Sequence, residues 1–207
     1  MKKHEHIVKS LMPGGIGEEL GIEPGDKLLA INGNEIQDVF DYYYYEESEQ
    51  LLLLIREPDG EEWELEIEKD EDESLGIEFD QSLMDEYRSC RNKCMFCFID
   101  QMPKGMRETL YFKDDDSRLS FLQGNYITLT NMSDHDVERI VKYRLEPINI
   151  RSRRQIPNFA ARCCTTGLRE SAEKVDILYR GQIEMNGQIV LCKGVMTEKS
   201  WSGRSGI

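Results

Sequence analysis

The sequence has no apolar run near the ~20 residues that cross a bilayer, which excludes a helical membrane span. Its first residues, MKKHEHIVKS, are basic but lack an apolar h-region, so they do not read as a secretory signal. A cytoplasmic setting is the expectation, where cysteines stay reduced and take metal or redox roles rather than structural bridges. Positive charge is scarce at the start of the chain. Residues 1–80 hold 24 acidic and 6 basic side chains, whereas the other 127 hold 16 and 20. So acidic a first part argues against nucleic acid as its partner. The plainest reading of the charge is a solvated face, since net charge bears on solubility more than on fold. At 207 residues, 39% hydrophobic and 32% charged, the chain is globular, with room for one large or two small domains.

Residues 5–80 pattern as a small β-rich unit. Pro13, Gly14 and Gly15 make a turn, and Ile16–Leu20 suits one or two helical turns ended by Gly21. EPGD at 23–26 is a turn, Lys27–Ile31 alternates as a strand, and Asn32-Gly33 is a hairpin-type pair. Leu51–Arg56, the turn EPDG and Glu62–Glu68 read as a second hairpin, with WELEIE alternating as a strand with one wet face. In the aromatic stretch DYYYYEESEQLLLL (41–54), core packing plus a wet face is a better explanation than a ligand box. The segment PGGIGEELGIEPGDKLLAING resembles bacterial PDZ domains, which bind extended peptide ends by adding a strand to a sheet edge. On that resemblance SLGIEF (74–79) is a carboxylate-binding loop displaced to the far end of the domain, as in permuted forms. The alternative is that it is only the last strand of the unit. The charge run EKDEDES (68–74) is a loop or a hinge.

The character changes after residue 80, and the expected domains are 1–80 and 81–207. The sequence predicts helix near Ser117–Leu122, a buried parallel strand at YITLTN (126–131), and a helix at SDHDVERIVKYR (133–144) capped by Ser133 or Asp134. PINI (147–150) starts another strand. The fold-class expectation is therefore α+β followed by α/β with parallel strands. DDD at 114–116 reads as a solvated loop, and His135 as a neighbour of a helix cap.

Three of the six cysteines, Cys90, Cys94 and Cys97, are spaced C-x3-C-x2-C in SCRNKCMFCFID. A structural zinc site needs four ligands, usually as two C-x2-C halves, and the second half is missing. Cys163, Cys164 or Cys192 could add a thiolate, but nothing in their spacing recommends them. A nucleophilic thiol needs a base, and no histidine is near in sequence. Three thiolates on a cubane iron–sulfur cluster leave one iron open to a ligand. Arg91, Asn92 and Lys93 lie between the thiols and either touch such a ligand or serve only as soluble loop.

C-x3-C-x2-C with Phe96 before the last cysteine resembles the signature of radical S-adenosylmethionine (SAM) enzymes. The resemblance implies a [4Fe–4S] cluster on Cys90, Cys94 and Cys97 with Phe96 beside it. It implies SAM chelated by the open iron and cleaved reductively to a 5′-deoxyadenosyl radical. Thr130 and Asn131 fall where that superfamily has a motif touching SAM, though no Gly-Gly-Glu is present. A PDZ unit followed by this cysteine loop closely resembles a bacterial family with a PDZ domain, a radical SAM partial (β/α) barrel and a further C-terminal domain. Its implied partners are a peptide or protein C-terminus and an electron donor such as flavodoxin or ferredoxin. Readings without that chemistry are a PDZ-type peptide-binding module and a zinc-binding adaptor.

RSRRQIPNFAARCCTTGLR (151–169) departs from this family, with five arginines and no acid. Shifting each codon by two bases from Ile150 permits SVQTTNPELRCKMLHNR, a family-like segment. EKVDILYRGQIEMNGQIVLCKGV is family-like in frame, and the same shift after Val195 permits NDGKELERTIRD. Residues 151–172 and 196–207 are therefore expected to be out-of-frame translation, and the barrel to be incomplete and the fragment inactive. Cys163 and Cys164 then carry no functional weight, and Cys192 is a buried strand cysteine by default. Resequencing the gene from the Ile150 codon onward should find single-base changes that restore both segments. Bases that stand as translated would end this reading.

Overall fold

A computed structural model describes residues 5–94, 97–152 and 168–189. The chain divides into two compact units, Met1–Tyr87 and Arg88–Ile207. Phe96, Cys163, Cys164 and Cys192 lie outside the described residues, as do 153–167 and 196–207 of the segments expected to be out of frame.

The first unit is a six-stranded sheet. β1 (His6–Leu11), β2 (Lys27–Ile31), β4 (Gln50–Arg56), β5 (Glu62–Glu68) and β6 (Ile77–Phe79) run in the order β5-β4-β2-β1-β6, and β3 (Asn34–Glu35) pairs with β2. All of these pairings are antiparallel. The tight β2–β3 turn follows from Asn32 and Gly33, at φ 51° and 72°, the left-handed pair that a type I′ turn requires. Asn32 secures it by accepting the Leu52 amide on Oδ1 at 2.7 Å. The alternation in β4 puts Leu51, Leu53 and Ile55 inside. In β5 only Ile67 is buried and Trp63 is 40% exposed, so WELEIE is wet along most of its length.

Two short helices lie between the strands. α1 (Ile16–Glu19) begins where Gly17 approaches its neighbours closely. A Cβ there would stand 2.8 Å from a Leu11 methyl and 3.0 Å from the Leu75 carbonyl oxygen. α2 (Val39–Glu46) is capped by Asp38, whose carboxylate accepts the Phe40 amide at 3.1 Å. It buries Val39, Phe40 and Tyr42 and leaves Tyr43 and Tyr44 outward, dividing the tyrosine run between core and water.

The second unit holds α3 (Ser117–Gln123), α4 (Asp134–Tyr143), β7 (Ile148–Ser152), α5 (Leu168–Arg180) and β8 (Met185–Ile189). β7 and β8 pair in parallel, from Ile148 opposite Met185 onward. A parallel pair needs a crossover, and α5 lies within it. α4 starts in a capping box, with Ser133 and Asp136 each accepting from the other's backbone N–H. Its buried Val137 and Ile140 meet Ile127, Ile148, Leu178 and Ile183 in one core.

The expected strand at 126–131 is corrected. Only Ile127 bridges to β7, through Ile127 N to the Asn149 carbonyl and Arg151 N to the Ile127 carbonyl. Only Ile127, Thr128 and Leu129 are buried, with Tyr126 exposed and Thr130 and Asn131 half-buried, and side chains take the segment's backbone groups. Thr128 N donates to Asp115, and the Leu129 and Met132 carbonyls accept from Lys174. A backbone bound this way cannot also form a ladder.

Leu53 is fully buried in β4. Leu53→Ala should lower the urea stability of the first unit by about 2–5 kcal/mol, read from its circular-dichroism transition.

Candidate functional site

The cysteine loop is held at its start by residues 113–114 and by a turn of its own. Ser89 bridges to Asp114, and Cys90 N donates to the Lys113 carbonyl at 2.6 Å. Cys97 N closes a turn on the Cys94 carbonyl at 3.0 Å. All three cysteines are free thiols, with Cys94 buried and the other two half-buried. Among the described residues, the one trio of potential ligand atoms within 4.8 Å of one another is Glu57, Asp59 and Glu61. The three thiols are not gathered that closely.

Asn92, between the first two cysteines, is 3% exposed. Its Nδ2 donates to Thr130 Oγ1 at 2.7 Å and also approaches Thr128 Oγ1 at 3.3 Å and Cys90 Sγ at 3.5 Å. Arg91 N donates to Asn131 Oδ1 at 3.1 Å, and Asn131 Nδ2 stands 3.5 Å from Cys90 Sγ. The structure thus brings Thr130 and Asn131 against the cysteine loop. Arg91 and Lys93 have exposed side chains.

Asp115 anchors the other side of this contact. Its Oδ1 accepts Thr128 N at 2.7 Å, and its Oδ2 accepts Thr128 Oγ1 at 2.5 Å and Asn131 Nδ2. From α5, the buried Lys174 donates to the Met132 carbonyl at 2.5 Å and approaches the Leu129 carbonyl at 3.4 Å. Residues 129–132 are therefore gripped by a carboxylate on one side and an ammonium on the other.

DDD does not form the solvated loop expected of it. Asp114 is exposed, but Asp115 is 6% exposed and Asp116 is fully buried. Asp116 meets Arg118 through two bonds, Nε to Oδ1 at 2.9 Å and an Nη to Oδ2 at 2.7 Å. It also caps α3 and accepts the Arg88 amide at 3.0 Å. The available signal was an aspartate directly before a helix start, a preferred N-cap. No periodicity marks Asp115, Lys113 or Lys174, whose roles come from contacts distant in sequence.

Lys113 supplies positive charge beside the thiols. Its ammonium donates to the Asn92 carbonyl at 2.9 Å and to both Asp100 oxygens at 2.9 and 3.0 Å. The Asp100 bond chiefly holds it above its ordinary value, burial opposes, and the Cys97 and Cys90 sulfurs add to the rise.

The first unit has a groove of about 650 Å³ between α2 and the edge strand β6, lined by Leu11, Val39, Tyr43, Ile77, Phe79 and Met84 among others. It is a place where an extended segment could extend the sheet.

An antiparallel sheet with an edge strand beside a helix, and an α/β unit carrying a three-thiol loop, make up a small β-rich domain joined to a cysteine-loop α/β domain. Residues 7–68 match the PDZ domain family and residues 69–202 match the radical SAM-like domain family. The chain belongs to the radical SAM-like domain family, with a PDZ domain in front. No curated protein matches it. The β6 strand lies beyond the PDZ match yet pairs with β1, so the sheet of the first unit is completed by residues assigned to the second match. No helix among the described residues is long and apolar enough to cross a membrane.

Burial raises the Asp116 and Asp136 carboxyls, but their partners outweigh it. Arg118 and the Arg88 amide hold Asp116 below its ordinary value of 3.8, and the Arg88 side chain with Ser133 does the same for Asp136. Carboxyls lowered by folding contribute stability above the ordinary value and lose it as pH falls through the lower folded one. The second unit's urea midpoint should therefore fall as pH drops below 3.8. In Asp136→Asn that decline should be shallower; an unchanged slope would show that Asp136 does not contribute to it.

Proposed function

We propose that the chain is by lineage a radical SAM [4Fe–4S] protein, of the class that generates a 5′-deoxyadenosyl radical from SAM, and that with residues 151–172 read out of frame this chain does not itself complete the reaction. Cys90, Cys94 and Cys97 would hold the cluster, Phe96 would pack beside it, and Thr130 and Asn131 would contact SAM. The observation that carries this reading is the contact of the cysteine loop with residues 128–131, from Asn92 to Thr130 and from Arg91 N to Asn131, with Asp115 holding Asn131 from the other side.

The donor set fits the group. The thiols are free of disulfides, and three thiolates leave one iron of a cubane cluster open to SAM. Amide donors of Asn92 and Asn131 face Cys90 Sγ, where hydrogen bonds to sulfur tune a cluster. Lys113 offsets the negative charge of bound thiolates and fixes the loop through the Asn92 carbonyl. Asp115 and Lys174 hold residues 128–132 in place, so the polar atoms of Thr130 and Asn131 are positioned before any ligand arrives. Bound together, the cluster and SAM supply one-electron cleavage of the sulfonium and hydrogen abstraction from a substrate. The reading includes a reductant such as flavodoxin or ferredoxin and a cytoplasmic setting that keeps the thiols reduced.

A second reading concerns the first unit. Its groove beside β6 supports binding of a peptide or protein segment as an added strand.

Anaerobic reconstitution with iron and sulfide tests the first reading. The full chain should take up about four irons and four sulfides, and Cys90→Ala, Cys94→Ala and Cys97→Ala should each lose most of both. Zinc bound without sulfide would overturn the proposal in favour of an adaptor.

A further inference from the structure

The loop before β6 has its main hydrogen-bonding positions filled from within the protein. Glu46, the last residue of α2, is buried, and its Oε1 accepts three bonds. These come from Leu75 N at 2.7 Å, Ser74 Oγ at 2.9 Å and the Tyr42 hydroxyl at 3.1 Å. Gly76 N donates to Ser74 Oγ at 3.2 Å. Burial, and after it the Glu46 charge, push the Tyr42 phenol far above its ordinary value, which keeps Tyr42 a donor. A side-chain carboxylate therefore occupies the amide that a peptide's terminal carboxylate would use, and it does so at the end of the groove between α2 and β6.

We propose that Glu46 is an internal substitute for a ligand carboxylate, so that the groove takes an extended internal segment of a partner protein and not a free C-terminus. A terminal carboxylate would have to displace Glu46 or lie against it, and two like charges at one amide are unfavourable. Among the described residues β6 is an edge strand of the sheet, and strand addition there needs no terminal charge. Glu78 lines the groove, and residues 1–80 carry 24 acids against 6 bases, so the segment is basic, with lysine or arginine near Glu78. This inference rests on the reading of the first unit as a peptide binder.

The test displays random decapeptides in two formats, one closed at both ends within a carrier and one ending in a free carboxylate. Both libraries are selected against the full chain, and the winners are synthesised with amidated and free ends. The wild-type chain should enrich closed segments rich in lysine or arginine, and amidation should change their affinity by no more than about twofold. Glu46→Ala should gain about tenfold or more for free-carboxylate ends, because the Leu75 amide is released to a charged acceptor. Glu46→Gln, which removes the charge but keeps the size and an acceptor oxygen on the Leu75 amide, should gain clearly less than Glu46→Ala. If Glu46→Ala fails to fold, the amidation comparison in the wild-type chain decides. Enrichment of free-carboxylate peptides alone, with loss on amidation, overturns the proposal and leaves the peptide-binding reading standing. Enrichment of neither format overturns both.

Discussion

The Asp115 carboxylate is the point on which the second unit's site depends. A buried carboxylate is costly unless its oxygens are satisfied, and here both oxygens accept from residues 128–131. That demand draws the segment out of regular strand structure and sets Thr130 and Asn131 facing the cysteine loop. Asn92 completes the link from the loop's side. The site is a set of mutually satisfied polar groups, in which removing one leaves others unpaired in a low-dielectric interior.

The same rule operates in the first unit with a different outcome. Glu46 is also a buried carboxylate with several donors, two of them, Leu75 N and Ser74 Oγ, from the loop before β6 and the third, the Tyr42 hydroxyl, from its own helix. In one unit satisfying an acid shapes the candidate site; in the other it fixes the loop before β6. Both depend on pairing a helix-end or loop acid with backbone amides.

Around these polar centres the apolar packing is ordinary. α4 presents Val137 and Ile140 to β7, and α5 adds Leu178 to the same cluster. Gly181 marks the close approach of these helices, since a Cβ there would lie 2.8 Å from both Val141 methyls. This packing carries Lys174 to the carbonyls of residues 129 and 132, so a hydrophobic contact positions a charged one.

Much of the architecture is legible in the chain itself. Turn residues, alternation and cap residues mark the hairpins, the Asn32-Gly33 turn, α3, α4 and β7, because these depend on neighbours within a few positions. The three-cysteine spacing and the PDZ-like glycine pattern are local as well, and they point to the family that the chain matches. Tertiary structure alone decided that 126–131 bonds through side chains and not a ladder, that Asp115 and Asp116 are buried, and that Lys113 stands beside the thiols. It also decided that Glu46 fills the Leu75 amide. Each of these is a contact across 13 or more positions or a burial set by such contacts, and a pattern read over one or two helical turns does not contain the partner.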